Sequence, residues 1–183
     1  MSDVSHPLMQ RAPTFFALAQ ASFHFLKEQY GYQFERTTVA DLQYAVDAHA
    51  SVSYLGERVA VDVAWMYAEG YISVGFVELR TPWVRPAQAD SLHVDRDMPL
   101  AISLDTLATM AGQAKDPDVL LHGRGLLGRR SLEACRRLVD TNMAGVIEGL
   151  ARATRRYAAD ILAGDTSRFP EVVRFHAQEV SRP

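Results

Sequence analysis

Between Ala48 and Leu79 the chain alternates apolar and polar residues through three successive runs. The runs are Ala-His-Ala-Ser-Val-Ser-Tyr, Val-Ala-Val-Asp-Val-Ala-Trp-Met-Tyr and Tyr-Ile-Ser-Val-Gly-Phe-Val-Glu-Leu, parted by Leu-Gly-Glu-Arg and Ala-Glu-Gly. A period of two places alternate side chains on opposite faces of a strand. Connections this short join antiparallel neighbours, because a parallel pair needs a crossover of a dozen or more residues. The segment therefore reads as an antiparallel meander. Val59, Val61, Val63, Trp65 and Tyr67 share one strand face, and Ala60, Asp62, Ala64 and Met66 share the other. Gly75, inside the last run, marks a bulge or a close backbone approach.

Helical patterns flank the meander. Thr14 caps a helix to about Tyr30 that lines up Phe16, Ala19, Phe23, Leu26 and Tyr30, and Gly31 stops it. Tyr32 to Thr38 reads as a first strand, and Val39 to Asp47 fits either a strand or a helical turn. Ser103 opens a short helix with Leu104, Leu107 and Met110, ended by Gly112. Ser131 starts the longest element. Leu132, Cys135, Leu138, Val139, Met143, Val146, Ile147, Leu150, Tyr157, Ile161 and Leu162 keep a helical period to Ala163. A continuous helix of that length spans roughly 50 Å. Gly145 and Gly149 are its candidate bends. Pro170 begins a last short helix with Val172, Val173 and Phe175.

The expected fold is α+β: an antiparallel meander sheet of about four strands, packed by an N-terminal helix and a long C-terminal helix. The 183 residues suit one domain over 1–183, with a loose tail at 1–12 and a proline-rich connection at 81–99. No apolar run approaches the roughly 20 residues that span a bilayer. Met1 to Pro13 lacks a basic segment followed by an apolar core, so a cytoplasmic location is expected. Cys135 is the single cysteine, which excludes an internal disulfide; its helical pattern makes it core filler.

The net charge of −3 gives no overall pull towards nucleic acid or acidic membranes. Its distribution is uneven. Residues 1–121 hold 8 basic and 15 acidic residues (−7), whereas 122–183 hold 11 basic and 7 acidic (+4). All 11 of those basic residues are arginine. With 17 Arg, 2 Lys and 25 Ala, the chain has the codon bias of a GC-rich genome, hence of a bacterium.

Four groups of residues are candidates for function. Gly123-Arg124-Gly125-Leu126-Leu127-Gly128 matches a dinucleotide-binding glycine pattern and precedes a helix. The helix then runs on where a second parallel strand with a ribose-binding acid belongs. The same loop gathers Arg124, Arg129 and Arg130 at a helix N-terminus, which favours an anion. The competing expectation pairs arginines along the helix: Arg129 with Glu133, Arg136 with Asp140, Glu148 with Arg152, and Arg156 with Asp160, leaving Arg137 and Arg155 over. His93, Asp95 and Asp97, with Asp90 nearby, carry metal-ligand chemistry but match no fixed spacing, and Arg96 stands among them; no metal is expected. Asp62, an acid within an apolar strand, is a site candidate if buried, and otherwise faces solvent or pairs with an arginine. Trp83, after Pro82, is an aromatic anchor for a partner or folds back onto the core. His6, His24, His49, His122 and His176 adjoin no acid–base motif.

Four stretches carry a resemblance: Phe25-Leu26-Lys27-Glu28-Gln29-Tyr30-Gly31-Tyr32; Val52-Ser53-Tyr54 through Arg58-Val59-Ala60-Val61-Asp62-Val63; Ile102-Ser103-Leu104-Asp105; and Tyr157 to Asp165. Their order resembles small bacterial proteins that include immunity proteins of toxin–immunity systems. Val39 to Asp47 and Thr81 to Pro99 depart from that pattern as insertions. The resemblance passes on no active-site residue; a well-formed core without a catalytic constellation makes a non-catalytic protein that occludes a toxin, with no cofactor, the expectation. The acidic first two-thirds suits a basic protein partner. Trp83, Asp90, Asp95 and Asp97 are the expected contact. The alternative is an anion- or nucleotide-binding protein or enzyme built on Gly123, Arg124, Gly125, Arg129 and Arg130. A homo-oligomer through the long helix is a third expectation.

Overall fold

A computed structural model describes residues 7–40, 48–79, 101–119 and 132–180. The order is α1 (Pro7–Ser22), α2 (Phe25–Tyr30), β1 (Gln33–Ala40), β2 (His49–Leu55), β3 (Val59–Met66), β4 (Tyr71–Glu78), β5 (Ala101–Ser103), α3 (Leu104–Met110), α4 (Leu132–Tyr157), α5 (Ala159–Leu162) and α6 (Phe169–Val180). The five strands form one sheet in the order β1-β2-β3-β4-β5, every pair antiparallel. The α+β fold is thus present, with one strand more than the alternation shows. Only three residues of β5 pair, too few for a period to register. Among the described residues no helix is long and apolar enough to cross a membrane.

The alternation decides which sheet face is covered. Ala50, Val52 and Tyr54 of β2 lie opposite Trp65, Val63 and Val61 of β3, which in turn lie opposite Ile72, Val74 and Phe76 of β4. All are buried, and Ile102 of β5 joins them beside Phe76. The helices deliver Leu8, Ala12, Phe15, Leu107, Ile147, Leu150 and Phe169 to this same cluster. Trp65 is its largest fully buried side chain, with the Phe15 ring tilted against it at 5.9 Å between centroids. Burying side chains of this size stabilises by about 1.5–3 kcal/mol each.

Three helix boundaries differ from the pattern. Residues 7–12 are not a tail: they open α1, where Leu8 and Ala12 are buried. The N-terminal helix is two helices, broken around Phe23 and His24, and the break lets Phe23 and Phe25 both reach the core. The long helix ends at Tyr157, since Ala158 leaves helical geometry (φ −119°, ψ 14°) before α5.

Within α4 the bend is at Asn142 (φ −147°, ψ 48°), not at a glycine. The Asn142 side-chain oxygen accepts the Gly145 backbone N–H at 3.2 Å, as an N-cap residue does for the helix that follows it. Gly145 serves that cap by its size, since a Cβ there would lie 2.5 Å from the Asn142 amide nitrogen. Gly149 is likewise a contact, with a Cβ there falling 2.9 Å from Asp118 Oδ1. Nor does Gly75 mark a bulge; it pairs with Asp62 and Ser103 in register, and the register shift lies in β1, at Glu35.

The arginines of α4 do not pair along their own helix in the expected way. Arg136 donates to the Ala68 carbonyl in the β3–β4 turn, and Asp140 pairs with Arg11 of α1. Arg152 forks onto Asp118 at 2.7 and 3.3 Å. Arg156 and the Tyr157 hydroxyl both donate to buried Asp116, while Asp160 takes Arg168. Of the two left over, Arg137 pairs with Glu133 at 2.9 Å and Arg155 lies 4.0 Å over the Phe25 ring. An acid held by another element stitches α4 to the fold, whereas an i,i+4 partner only stiffens the helix.

Gly145→Ala tests the capped break. Alanine is the better helix former by about 1 kcal/mol. Loss of the Asn142 cap costs about 1–2 kcal/mol, and the Cβ clash adds to it. Thermal melting should therefore show a lower Tm for the variant; a higher Tm would contradict the cap.

Candidate functional site on the outer sheet face

The sheet's other face is set by the same alternation. Side chains opposite one another across an antiparallel sheet share a face, so the register reads out its rows. One row holds Arg36, Ser53, Asp62, Gly75 and Ser103 across all five strands, roughly 19 Å at ~4.8 Å per strand. The next holds Thr38, Ser51, Ala64 and Ser73, and a third Leu55, Ala60, Val77 and Ala101. At the far end lie Ala40, His49, Met66 and Tyr71. The middle of the face is a floor of serine, alanine and glycine. Most of it is half-buried, and Ser53 and Ala60, though buried, are outside the cluster that the helices fill.

Asp62 stands at the centre of this floor. Burial raises its carboxyl above the ordinary carboxylate range, the Ser53 hydroxyl bonded to it and nearby Arg36 pull it down, and Glu35 pushes it up further. The β1 bulge is what makes Arg36 a neighbour. Phe34 faces the inner-face residue Tyr54, so strict alternation would turn Arg36 inward as well. The extra residue, Glu35, restores Arg36 to the Asp62 row.

Asp116 is the opposite kind of carboxylate. Burial pushes it up, yet the Tyr157 hydroxyl, the Asp118 backbone N–H at 2.9 Å and Arg156 outweigh burial and hold it below the usual range. Its bonds are all spent within the fold, so it is a structural group. Asp62 keeps a half-buried charge with one hydroxyl as its bonded partner and an arginine at the row's end. Of the two, Asp62 is the group still able to gain from an outside cation.

The other sequence candidates fall differently. Trp83, Asp90, His93, Asp95, Arg96 and Asp97 lie outside the described residues, as do Gly123, Arg124, Gly125, Gly128, Arg129 and Arg130. Cys135 is buried, in keeping with core filler. His24 and Glu28 approach to 3.8 Å on the exposed side of α2. Among the described residues no group of three metal-ligating side chains gathers. No protein-family model matches the chain, and neither a curated protein nor a solved structure does.

The two carboxylates give pH effects of opposite sign. Asp116 has a lowered folded pKa, so its stabilisation is present above the unfolded value of 3.8 and is lost as pH falls through the folded value. Asp116→Asn should cost about 1–3 kcal/mol near pH 7, with the gap closing in acid. Asp62 has a raised folded pKa. Its favourable contribution is complete below 3.8 and is lost as pH rises through the folded value. Asp62→Asn should therefore be the more stable protein near pH 7 and lose that advantage in acid. Urea unfolding of both variants at about pH 7 and about pH 3 reads this directly; a shared sign would contradict the assignment.

Proposed function

We propose that the protein acts by non-catalytic binding of another protein, with the outer sheet face as its contact and a basic group of the partner seated on Asp62. Occlusion of a toxin, the immunity-type role, is the concrete form of this reading. One observation carries it: a half-buried carboxylate in the middle of a floor of small residues. A floor of serine, alanine and glycine admits a partner's backbone closely. Docking removes water from Asp62, which costs free energy unless a cation replaces it. A basic partner is therefore selected and a neutral or acidic one penalised. The acidic balance of residues 1–121 works in the same direction at longer range.

The anion-binding alternative rests on Gly123, Arg124, Gly125, Arg129 and Arg130, which lie outside the described residues. The described arginines Arg137, Arg152, Arg156 and Arg168 each hold an acid of this chain, and Arg155 lies on Phe25. Such groups are engaged already and would have to surrender a partner to take an anion.

Capture from the native host tests the proposal by comparison of variants. Asp62→Arg should abolish retention of the partner, and Asp62→Asn should weaken it by about tenfold or more. Gln20→Arg, on the exposed side of α1, should retain the partner fully. Equal capture by Asp62→Arg and the wild type, with both folded by circular dichroism, would overturn the outer face as the contact.

A further inference from the structure

A cleft lies at the other side of the molecule, where α1 and α4 meet the β3–β4 turn. Its volume is about 390 Å³, within the range of small-molecule sites. Tyr67 supplies the accessible part of its apolar lining, with Trp65 and Val139 buried behind it, and Arg11, Arg136 and Asp140 supply its charges. The Trp65 and Tyr67 rings meet edge-to-face at 5.4 Å, a rigid corner. Arg11 lies 5.0 Å over the Trp65 ring and pairs with Asp140, which neutralises both.

Arg136 is the remaining charge. It donates to the Ala68 carbonyl, a neutral acceptor, and among the described residues no acid forms an ion pair with it. A guanidinium carries five N–H donors, so the Ala68 bond leaves most of the fork unspent. Its position is built in by Gly70. A Cβ at Gly70 would lie 2.6 Å from Arg136 Cβ and 2.9 Å from Arg136 Cα, and the glycine sits at φ +72°. The turn thus touches the helix backbone, and the Arg136 stem is held at the edge of the cleft.

We infer that this cleft binds a small monocarboxylate with a flat apolar body. The carboxylate meets the Arg136 fork, the geometry in which arginine exceeds lysine. The body lies along Tyr67, with the Arg11–Asp140 pair closing the far side. An acid is chosen over an amine because the lining carries two guanidinium groups against one carboxylate. The cleft is independent of the outer-face reading; the two sites use different residues and opposite charge.

3-Phenylpropionate, titrated into the ¹⁵N-labelled protein, is the test, with 3-phenylpropionamide as the uncharged control. The acid should shift the amides of residues 65–70 and 136–140 saturably, and the amide analogue should bind at least about tenfold more weakly. Arg136→Gln should lose about tenfold in affinity, whereas Arg137→Gln, whose side chain pairs with Glu133, should lose none. No saturable shift by about 10 mM, equal binding of acid and amide, or shifts confined to other residues would overturn the inference. If Arg136→Gln fails to fold, the comparison of acid with amide on the wild-type protein decides it.

Discussion

Everything in this fold hangs on how α4 is held against the sheet. The apolar stripe of Val139, Val146, Ile147 and Leu150 supplies the gain from burial. Burial has no direction, however, and a helix free to slide or rotate would satisfy it almost as well. Direction comes from the polar contacts at the stripe's edges. Arg136 reaches the β3–β4 turn, Asp140 reaches α1, and Arg152 and Arg156 reach Asp118 and Asp116 after α3. These contacts bridge 68, 129, 34 and 40 residues of sequence respectively. They pin the helix at both ends. Exposed ion pairs contribute little energy individually, so their weight here is in register and angle rather than in stability. Asp116 is the exception, because it is buried and fully bonded, and leaving Tyr157 and Arg156 without it exposes the cost of unpaired groups.

That arrangement divides the molecule's carboxylates by purpose. Asp116 and Asp118 are consumed by the α4 arginines, and Asp140 by Arg11. Asp62 lies on the sheet face that the helices' apolar residues do not fill, with a raised pKa where Asp116 has a lowered one. The difference follows from the number of donors each receives. A carboxylate deprived of water and given one hydroxyl is poised to take a cation, and one given two side chains and a backbone N–H is not. Binding sites are commonly built from groups of the first kind, because the desolvation already incurred is recovered when the partner arrives.

Much of the architecture is legible in the sequence, and what is hidden is hidden for physical reasons. The strands from Val52 to Phe76 are plain to read, since a period of two over seven or eight residues matches a half-buried strand and clashes with the helical period. The helix around Ile147 is equally plain by its own period. β5 is too short for a period, and Ala101-Ile102-Ser103 pairs only because β4 offers it an edge. The kink at Asn142 looks like a glycine bend because glycine is weak in helices; the side-chain cap and the close approach of Gly145 emerge only in three dimensions. The i,i+4 pairing of Arg136 with Asp140 and of Arg156 with Asp160 is a local rule overruled by distant partners. Asp62 is visible as an acid in an apolar strand, but its row partner Arg36 depends on a one-residue bulge. The cleft at Trp65 has no local signature, because Arg11 and Asp140 stand 129 positions apart.

Recognition through the outer sheet face is the central claim, and site-specific photo-crosslinking in the native host tests it most directly. A crosslinking side chain placed at Ala64, the next residue of β3 on the same face as Asp62, should yield a single dominant adduct with a basic protein. The same group at Gln20, on the exposed side of α1, should yield none. An adduct from Gln20 with none from Ala64 would contradict the account and move recognition to the helical side of the molecule.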